Sequence, residues 1–146
     1  MAKTIQQSVT FRTTPERLYD VYMDSKKHAA AIDATASMGR RAGGRFSAYG
    51  GMLRGRILAL VPGRMIVQSW RGADWRKGEL ESILILTFSR ARGDARLDLV
   101  HANIPDRRVA GVRRGWSTYY WRPWRIYLRR ARRQPAAPPR ARSSPR

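Results

Sequence analysis

The amino-acid sequence predicts an α+β fold in which a curved antiparallel β-sheet wraps around a long C-terminal α-helix. Apolar residues recur at steps of three and four through Asp106–Ala131, over a longer stretch than anywhere else in the chain. Several segments of alternating polarity, separated by short turns, precede this helix. Two short helical segments follow the first strand, and this order of elements places them at one end of the sheet.

The N-terminal part of the chain is predicted to hold the first strand and both short helices. Alternation over Thr4–Arg12 indicates an edge or first strand. The segment Thr13–Glu16 has the residues of a helix start, because either threonine can cap and Pro15 suits the first turn. Asp24 then begins a second short helix. Small and glycine-rich residues from Asp33 to Gly44 predict a connector without regular structure.

The middle of the chain is predicted to form the rest of the sheet. Turn signals such as Pro62-Gly63 and Arg92-Gly93-Asp94 divide it into segments. The predicted strands are Arg45–Tyr49, Met52–Val61, Arg64–Arg71, Glu81–Ser89 and Arg96–Ala102.

Alternation assigns faces to most of these strands. One face holds Ile66, Gln68 and Trp70 in one strand, and Leu97, Leu99 and His101 in another. In the strand Met52–Val61, the same argument places Leu53, Ile57, Ala59 and Val61 together, opposite Arg54 and Arg56. The strand Glu81–Ser89 is nearly all apolar, which is typical of a strand buried on both faces.

The C-terminal helix has an aromatic side and a basic side. Trp116, Tyr120 and Trp124 belong to the apolar stripe, and arginines fill most of the opposite face. Asp106 is predicted to accept hydrogen bonds from first-turn amides. Pro123 removes a backbone donor from the interior of the helix, so we expect a kink or a short break near Trp121.

Length and composition indicate the number of domains, the cellular compartment and the kinds of partner that are possible. With 146 residues, the chain is predicted to form one domain over residues 1–130, followed by a disordered arginine- and proline-rich tail over residues 131–146. The absence of cysteine excludes disulfides and fits a cytoplasmic protein. The longest unbroken apolar run, Ile83–Leu86, is too short to span a membrane. The net charge of +20 allows an acidic partner, but arginine greatly outnumbers lysine, which also fits compositional bias.

A set of motifs in separate strands and in the long helix resembles one known family. These motifs are Gly43-Gly44-x-Phe46, Gly51-x-x-x-Gly55, Val61-Pro62-Gly63-x-x-Ile66-Val67-Gln68-Ser69-Trp70-Arg71, Asp74-Trp75, His101-x-x-Ile104-Pro105 and Gly115-Trp116-x-x-Tyr119-Tyr120-Trp121-x-Pro123. In order and spacing they resemble bacterial proteins similar to the C-terminal domain of the activator of the ninety-kilodalton heat-shock chaperone ATPase. The resemblance implies the START-like, helix-grip fold of the SRPBCC superfamily, with a hydrophobic cavity between sheet and helix.

No catalytic, metal or cofactor site is predicted. The two histidines, His28 and His101, have no acid or second histidine at metal-ligand spacing. The chain also lacks a G-x-S-x-G elbow, a phosphate-binding glycine-rich loop with lysine, and an H-E-x-x-H motif. A non-enzymatic role without cofactor is therefore expected.

The main functional prediction is a hydrophobic small molecule or lipid bound in the cavity that the resemblance implies between sheet and helix, where polar residues lie on otherwise apolar faces. The alternative from the residues alone is a packed core in which Gln68 and His101 find partners within the protein. Arg45 and Arg71 are read either as contacts to an anionic head group or as solvated charges. The predicted ligand-binding residues are Gln68, Trp70, His101, Trp116 and Tyr120.

Two other functions remain open. The resemblance implies a protein-interaction domain that acts as a cofactor of a chaperone ATPase. The basic helix face and the acid-free tail predict weak, non-specific and salt-sensitive binding of nucleic acid.

Overall fold

The computed structural model describes residues 2–133, which form a seven-stranded sheet and four α-helices. The helices are α1 Pro15–Met23, α2 Ser25–Ile32, α3 Val109–Trp116 and α4 Arg122–Arg133. The tail predicted for residues 131–146 lies outside the described residues from position 134 onwards. The strands are β1 Ala2–Phe11, β2 Ala36–Met38, β3 Arg45–Ala48, β4 Leu53–Val61, β5 Met65–Gly72, β6 Ser82–Ala91 and β7 Asp94–Pro105.

The sheet is antiparallel throughout, with the strand order β1-β7-β6-β5-β4-β3-β2. The predicted fold class is therefore confirmed, and β1 is an edge strand as expected. One strand, β2, was not predicted, because it lies in the expected connector Asp33–Gly44. With only three residues it has too little alternation to be recognised, and its backbone is held by pairing with β3.

Two polar side chains predicted to share the inner sheet face are indeed buried there. Gln68 lies between Ile66 and Trp70 on β5, and all three are buried. On β7, His101 is buried on the same face as Leu97 and Leu99. Alternation predicted the correct face in both strands because neither strand has a bulge between these residues in its pairing with β6.

The predicted faces of β4 and β6 need correction. The register of β4 against β5 shifts between Ile57 and Ala59, so Leu60 packs against the core, whereas Ala59 and Val61 are exposed. An extra residue in one strand moves every later side chain to the other face. Strand β6 is buried on one face only, since its outward side chains are half-buried or exposed.

The C-terminal helical segment changes its winding where the break was expected. A 3₁₀ turn at Asp106–Arg108 precedes α3, and a π-helical segment, Ser117–Trp121, joins α3 to α4. Pro123 has no N–H to donate to the carbonyl four residues earlier, that of Tyr119. This carbonyl instead accepts a hydrogen bond of 2.7 Å from the Tyr49 hydroxyl. The π-helical segment therefore interrupts the regular α-helix at the position where a kink or short break was predicted.

The wide π turn brings a further tryptophan into the core. In a regular α-helix, residues five positions apart point about 140° away from each other. Here the rings of Trp116 and Trp121 stack, with their centroids 5.3 Å apart and their planes at 19°. Trp121 is buried, and its indole N–H donates to Gln7 Oε1 over 2.8 Å. The apolar stripe predicted from regular helical spacing had not included Trp121.

Helix capping follows the sequence at two of the three predicted sites. The Thr14 hydroxyl accepts from the Arg17 amide and starts α1, and the Asp24 carboxylate accepts from the Lys27 amide and starts α2. Asp106 does not cap the long helical segment. Its carboxylate forms an exposed ion pair with Lys3, and the 3₁₀ turn has no side-chain cap.

At Gly55 the backbones of strands β4 and β5 leave no room for a side chain. A Cβ atom added there would lie 1.8 Å from the Ser69 carbonyl oxygen, which belongs to the backbone and cannot turn away. We expect Gly55→Ala to lower the free energy of unfolding by about 1–3 kcal/mol or more, measured by chemical denaturation. The control is Gly111→Ala on α3, where a Cβ meets nothing within 4 Å. Equal stability of both variants would contradict the predicted clash.

Candidate functional site

The inner sheet face carries a chain of hydrogen bonds around His101. The indole N–H of Trp116 donates to His101 Nδ1 over 3.2 Å. His101 Nε2 lies 2.7 Å from Ser82 Oγ, and the Ser82 hydroxyl is also 2.7 Å from the Trp70 carbonyl oxygen. Because Nδ1 accepts a hydrogen bond, the ring proton is on Nε2, which donates to Ser82, and Ser82 donates to Trp70. The long helix is thereby tied to strands β5, β6 and β7.

The close contact of Ser82 with His101 does not form a nucleophile and base. A histidine that activates serine must accept the hydroxyl proton on the nitrogen facing it. In this protein that nitrogen, Nε2, already carries the proton, and the Ser82 hydroxyl is committed to the Trp70 carbonyl. Both side chains are fully buried. The arrangement therefore positions the helix on the sheet and offers no activated hydroxyl.

A second group of buried polar side chains surrounds Tyr22 on α1. The Tyr22 hydroxyl donates to Gln68 Oε1, and Gln68 Nε2 donates to the Ser69 carbonyl over 3.2 Å. His28 Nδ1 is 2.7 Å from the Tyr22 carbonyl, and His28 Nε2 is 2.9 Å from the Tyr120 hydroxyl. His28 therefore donates through Nδ1 and accepts from Tyr120. These bonds connect α1, α2, β5 and the π-helical segment.

Burial keeps both histidines neutral. It lowers the pKa of His28 from 6.5 to about 4, although a hydrogen bond to the Tyr22 carbonyl opposes part of this shift. Burial likewise lowers the pKa of His101 from 6.5 to about 3. The pKa values of Tyr22 and Tyr120 are raised by burial, so both hydroxyls stay protonated. Each group remains in the protonation state that its hydrogen bonds require.

A cavity of about 540 Å³ lies between the sheet and the N-terminal half of the long helical segment. Three of the five predicted ligand-binding residues, Trp70, Trp116 and Tyr120, are among those that line it. Gln68 and His101 are not, because the structure places them in the two hydrogen-bonded groups described above. Any direct contact of Gln68 or His101 with a ligand stays a prediction.

The rim of this cavity combines exposed apolar groups with one ion pair. Met52 and Tyr119 line the cavity and are about half exposed, at 51% and 54%. Arg108 also lines it and contacts the Asp74 carboxylate over 2.8 Å. Two buried donors, Trp70 Nε1 and Arg108 Nε, have no hydrogen-bond partner among the described residues. The lining is therefore mostly apolar and aromatic, and Trp70 Nε1 and Arg108 Nε are its unpaired polar donors among the described residues.

Arg71 and Arg45 differ in their surroundings. The Arg71 guanidinium donates to the carbonyls of Glu79 and Arg76 and lies 5.9 Å from the centre of the Trp75 ring. Arg71 thus shapes the loop between β5 and β6. Arg45 is exposed on β3, and within residues 2–133 its side chain makes no hydrogen bond or ion pair.

Sequence reasoning missed Ser82, Tyr22 and His28 as parts of the buried polar groups. Ser82 shares the inward alternation of Leu84 and Leu86, so its burial was readable from the sequence. Tyr22 is on the buried side of α1, but no sequence pattern gives the partner of its hydroxyl. The contact of His28 with Tyr120 joins residues 92 positions apart and depends on the π turn.

Among residues 2–133, no group of three or more acidic, histidine or cysteine side chains is arranged to hold a metal ion. No helix in this part of the chain is long and apolar enough to cross a membrane.

Comparison with known proteins identifies the family. The family profile described as Activator of Hsp90 ATPase homolog 1-like protein matches residues 12–125. The chain belongs to this family. It is 34% identical over 112 residues to the human activator of 90 kDa heat shock protein ATPase homolog 1, covering 77% of this chain and 33% of that protein.

A second curated relative and one solved structure are also similar to this chain. A Dictyostelium discoideum activator of 90 kDa heat shock protein ATPase homolog is 33% identical over 116 residues, covering 79% of this chain and 30% of that one. The chain spans about a third of the length of these curated relatives. The crystal structure of an HSP90 activator from Plasmodium falciparum shares the fold, with a TM-score of 0.78, 21% identity, and coverage of 86% of this chain and 96% of that one.

Proposed function

We propose that this protein is a non-enzymatic interaction domain that binds the ninety-kilodalton heat-shock chaperone and modulates its ATPase, with the cytoplasm as its location. The observation that carries the proposal is family membership over residues 12–125, at 34% identity to the human activator. Because the chain matches about a third of that relative, binding to the chaperone is the primary claim and a change in its ATPase rate is the secondary one.

The buried polar groups support an interaction domain. Gln68 and His101, the polar side chains predicted to orient a ligand, are fully buried and hydrogen-bonded to other core residues. A ligand would have to replace bonds that are already made, which costs free energy. The surface also offers few aromatic rings on which nucleic-acid bases could stack, since Tyr119 is the only exposed aromatic side chain within residues 2–133.

The test is to titrate the purified ninety-kilodalton chaperone with the full chain. We expect a saturable complex in sedimentation velocity and a saturable change in the rate of ATP hydrolysis. Egg-white lysozyme, an unrelated basic protein, is the control that separates specific binding from the effect of charge alone. Absence of a complex at a protein concentration of about 100 μM would contradict the proposal.

The cavity of about 540 Å³ supports a second candidate function, the binding of a small hydrophobic molecule or lipid. Its lining includes Trp70 and Trp116, so tryptophan fluorescence is a direct reporter. We expect fatty acids or sterols to change this fluorescence in a saturable manner. Gly111→Leu, which places a side chain at the cavity lining, should weaken that binding, whereas Ala110→Leu on the exposed side of α3 should not. Equal responses of both variants would exclude the cavity as the binding site.

A further inference from the structure

The outer face of the sheet carries a row of apolar side chains that none of the helices within residues 2–133 covers. Cα pairing places Ala59 opposite Val67, Val67 opposite Ile85, and Ile85 opposite Val100. The row therefore crosses β4, β5, β6 and β7 without interruption. Val67, Ile85 and Val100 are half-buried by their neighbours in the sheet but do not pack against the hydrophobic core. This apolar row is available to a partner.

Arginines edge this row on β3, β4 and β5. Arg45 lies directly opposite Arg56, and Arg54 lies directly opposite Arg71. Like charges opposite each other on one sheet face are destabilising, so this arrangement works against the stability of the fold. No acidic residue occurs in the strands β2 to β6, so no carboxylate within these strands offsets the positive charge. We call these arginines and the apolar row the outer sheet face.

The geometry points to the outer sheet face as the surface that binds the chaperone, through a patch on the partner where apolar side chains are bordered by carboxylates. This inference rests on the proposed function and adds the surface and its chemistry. Carboxylates would relieve the repulsion between paired arginines, and guanidinium groups bind carboxylates in a bidentate manner. Apolar contact at the centre with charges at the edge is the usual arrangement of a protein interface.

Charge and shape disfavour other occupants of this face. A second copy of the chain would bring its own net charge of +20 against the same arginines. Single-stranded nucleic acid is usually bound by stacking its bases on exposed aromatic rings. The strands β2 to β6 present no aromatic side chain on this face, because Phe46, Trp70 and Phe88 are buried on the inner side. Nucleic acid could therefore contact this face only through its phosphates. An acidic protein surface with an apolar centre matches both features.

The test compares the affinity of the full chain and three variants for the purified chaperone by isothermal titration calorimetry. Arg45→Glu/Arg54→Glu reverses two exposed arginines whose side chains make no hydrogen bond or ion pair with other described residues. Arg113→Glu/Arg114→Glu on α3 is the control, since it changes the net charge equally at exposed positions that do not belong to the outer sheet face. Val67→Thr keeps a β-branched side chain and tests the apolar row.

We expect Arg45→Glu/Arg54→Glu to weaken binding by about tenfold or more, Val67→Thr to weaken it several-fold, and the control to bind nearly as the wild type does. Arg45→Glu/Arg54→Glu should unfold at the same or a higher denaturant concentration, because each new carboxylate lies opposite an arginine. Equal losses in this variant and the control would overturn the assignment of the surface while leaving the proposed function intact. No binding by the wild type would overturn both, and a wild-type dimer disrupted by Val67→Thr would assign the face to a second copy.

Discussion

Replacing Trp116 by alanine is expected to lower the free energy of unfolding by about 3–5 kcal/mol, measured by urea or guanidinium denaturation. The ring is 3% exposed, stacks on Trp121 and lies 4.9 Å from the ring centre of Tyr120, so its removal leaves a void at the centre of the core. The substitution also removes the donor to His101 Nδ1 and leaves a buried acceptor without a partner.

Trp116→Phe separates these two effects. Phenylalanine retains most of the apolar contact but has no N–H for His101, so its cost should fall near the 1–3 kcal/mol of a lost buried hydrogen bond. A denaturation midpoint of Trp116→Ala equal to that of the wild type would show that the ring does not pack in the core. Equal losses in both variants would assign the effect to the hydrogen bond alone.

Acidification from about pH 7 to pH 5 is expected to cost about 2 kcal/mol of folding free energy for each of His28 and His101. Both histidines have a pKa of 6.5 when unfolded, and burial lowers the folded pKa to about 4 for His28 and about 3 for His101. Below pH 6.5 the unfolded chain therefore binds more protons than the folded chain. Stability is complete above this value and is lost as the pH falls towards the folded pKa values.

The measurement is a series of chemical denaturations between about pH 7 and pH 5. Asp24 and Glu79 contribute little in this range, because their unfolded pKa values of 3.8 and 4.5 lie below pH 5 and hydrogen bonds lower the folded pKa values further. The histidine ring resonances of the folded protein should not titrate above pH 5. Stability that stays constant or rises on acidification would contradict the burial of two neutral histidines.

Much of the fold could be predicted from local patterns. The inward positions of Gln68 and His101 follow from alternation in segments of β5 and β7 that pair with β6 without a bulge. The caps at Thr14 and Asp24 depend on residues three positions away, which the sequence displays directly. These predictions hold because short-range geometry determines them.

The departures arise where backbone geometry depends on distant contacts. The bulge in β4 moves Ala59 and Leu60 to the faces opposite those predicted, and no residue pattern in the strand indicates this bulge. Pro123 predicted a break, but the form of the break depends on the Tyr49 hydroxyl, which bonds the free carbonyl of Tyr119. Trp121 is the last residue of the π-helical segment, whose wider winding allows its ring to stack on Trp116 in the core.

The sequence predicted which aromatic residues line the candidate site, but it did not predict the hydrogen-bond partners of the polar residues beside it. Alternation and helical spacing brought Trp70, Trp116 and Tyr120 to one region, and all three line the cavity. Whether His101 faces a ligand or a core partner depends on Ser82 and Trp116, which lie 19 and 15 residues away in sequence. Sequence spacing cannot rank these two outcomes, because hydrogen bonds at this separation are set by strand register and helix rotation.

The measurement that tests the central claim most directly is an NMR titration of the isotope-labelled full chain with the unlabelled chaperone. Surface binding without a change in the interior should broaden or shift the amide resonances of Arg54, Val67 and Ile85 on the outer sheet face. The indole N–H resonances of Trp116 and Trp121, which are hydrogen-bonded inside the core, should keep their positions. A spectrum unchanged by the chaperone, with indole resonances that move only on addition of a fatty acid or sterol, would contradict the interaction-domain account.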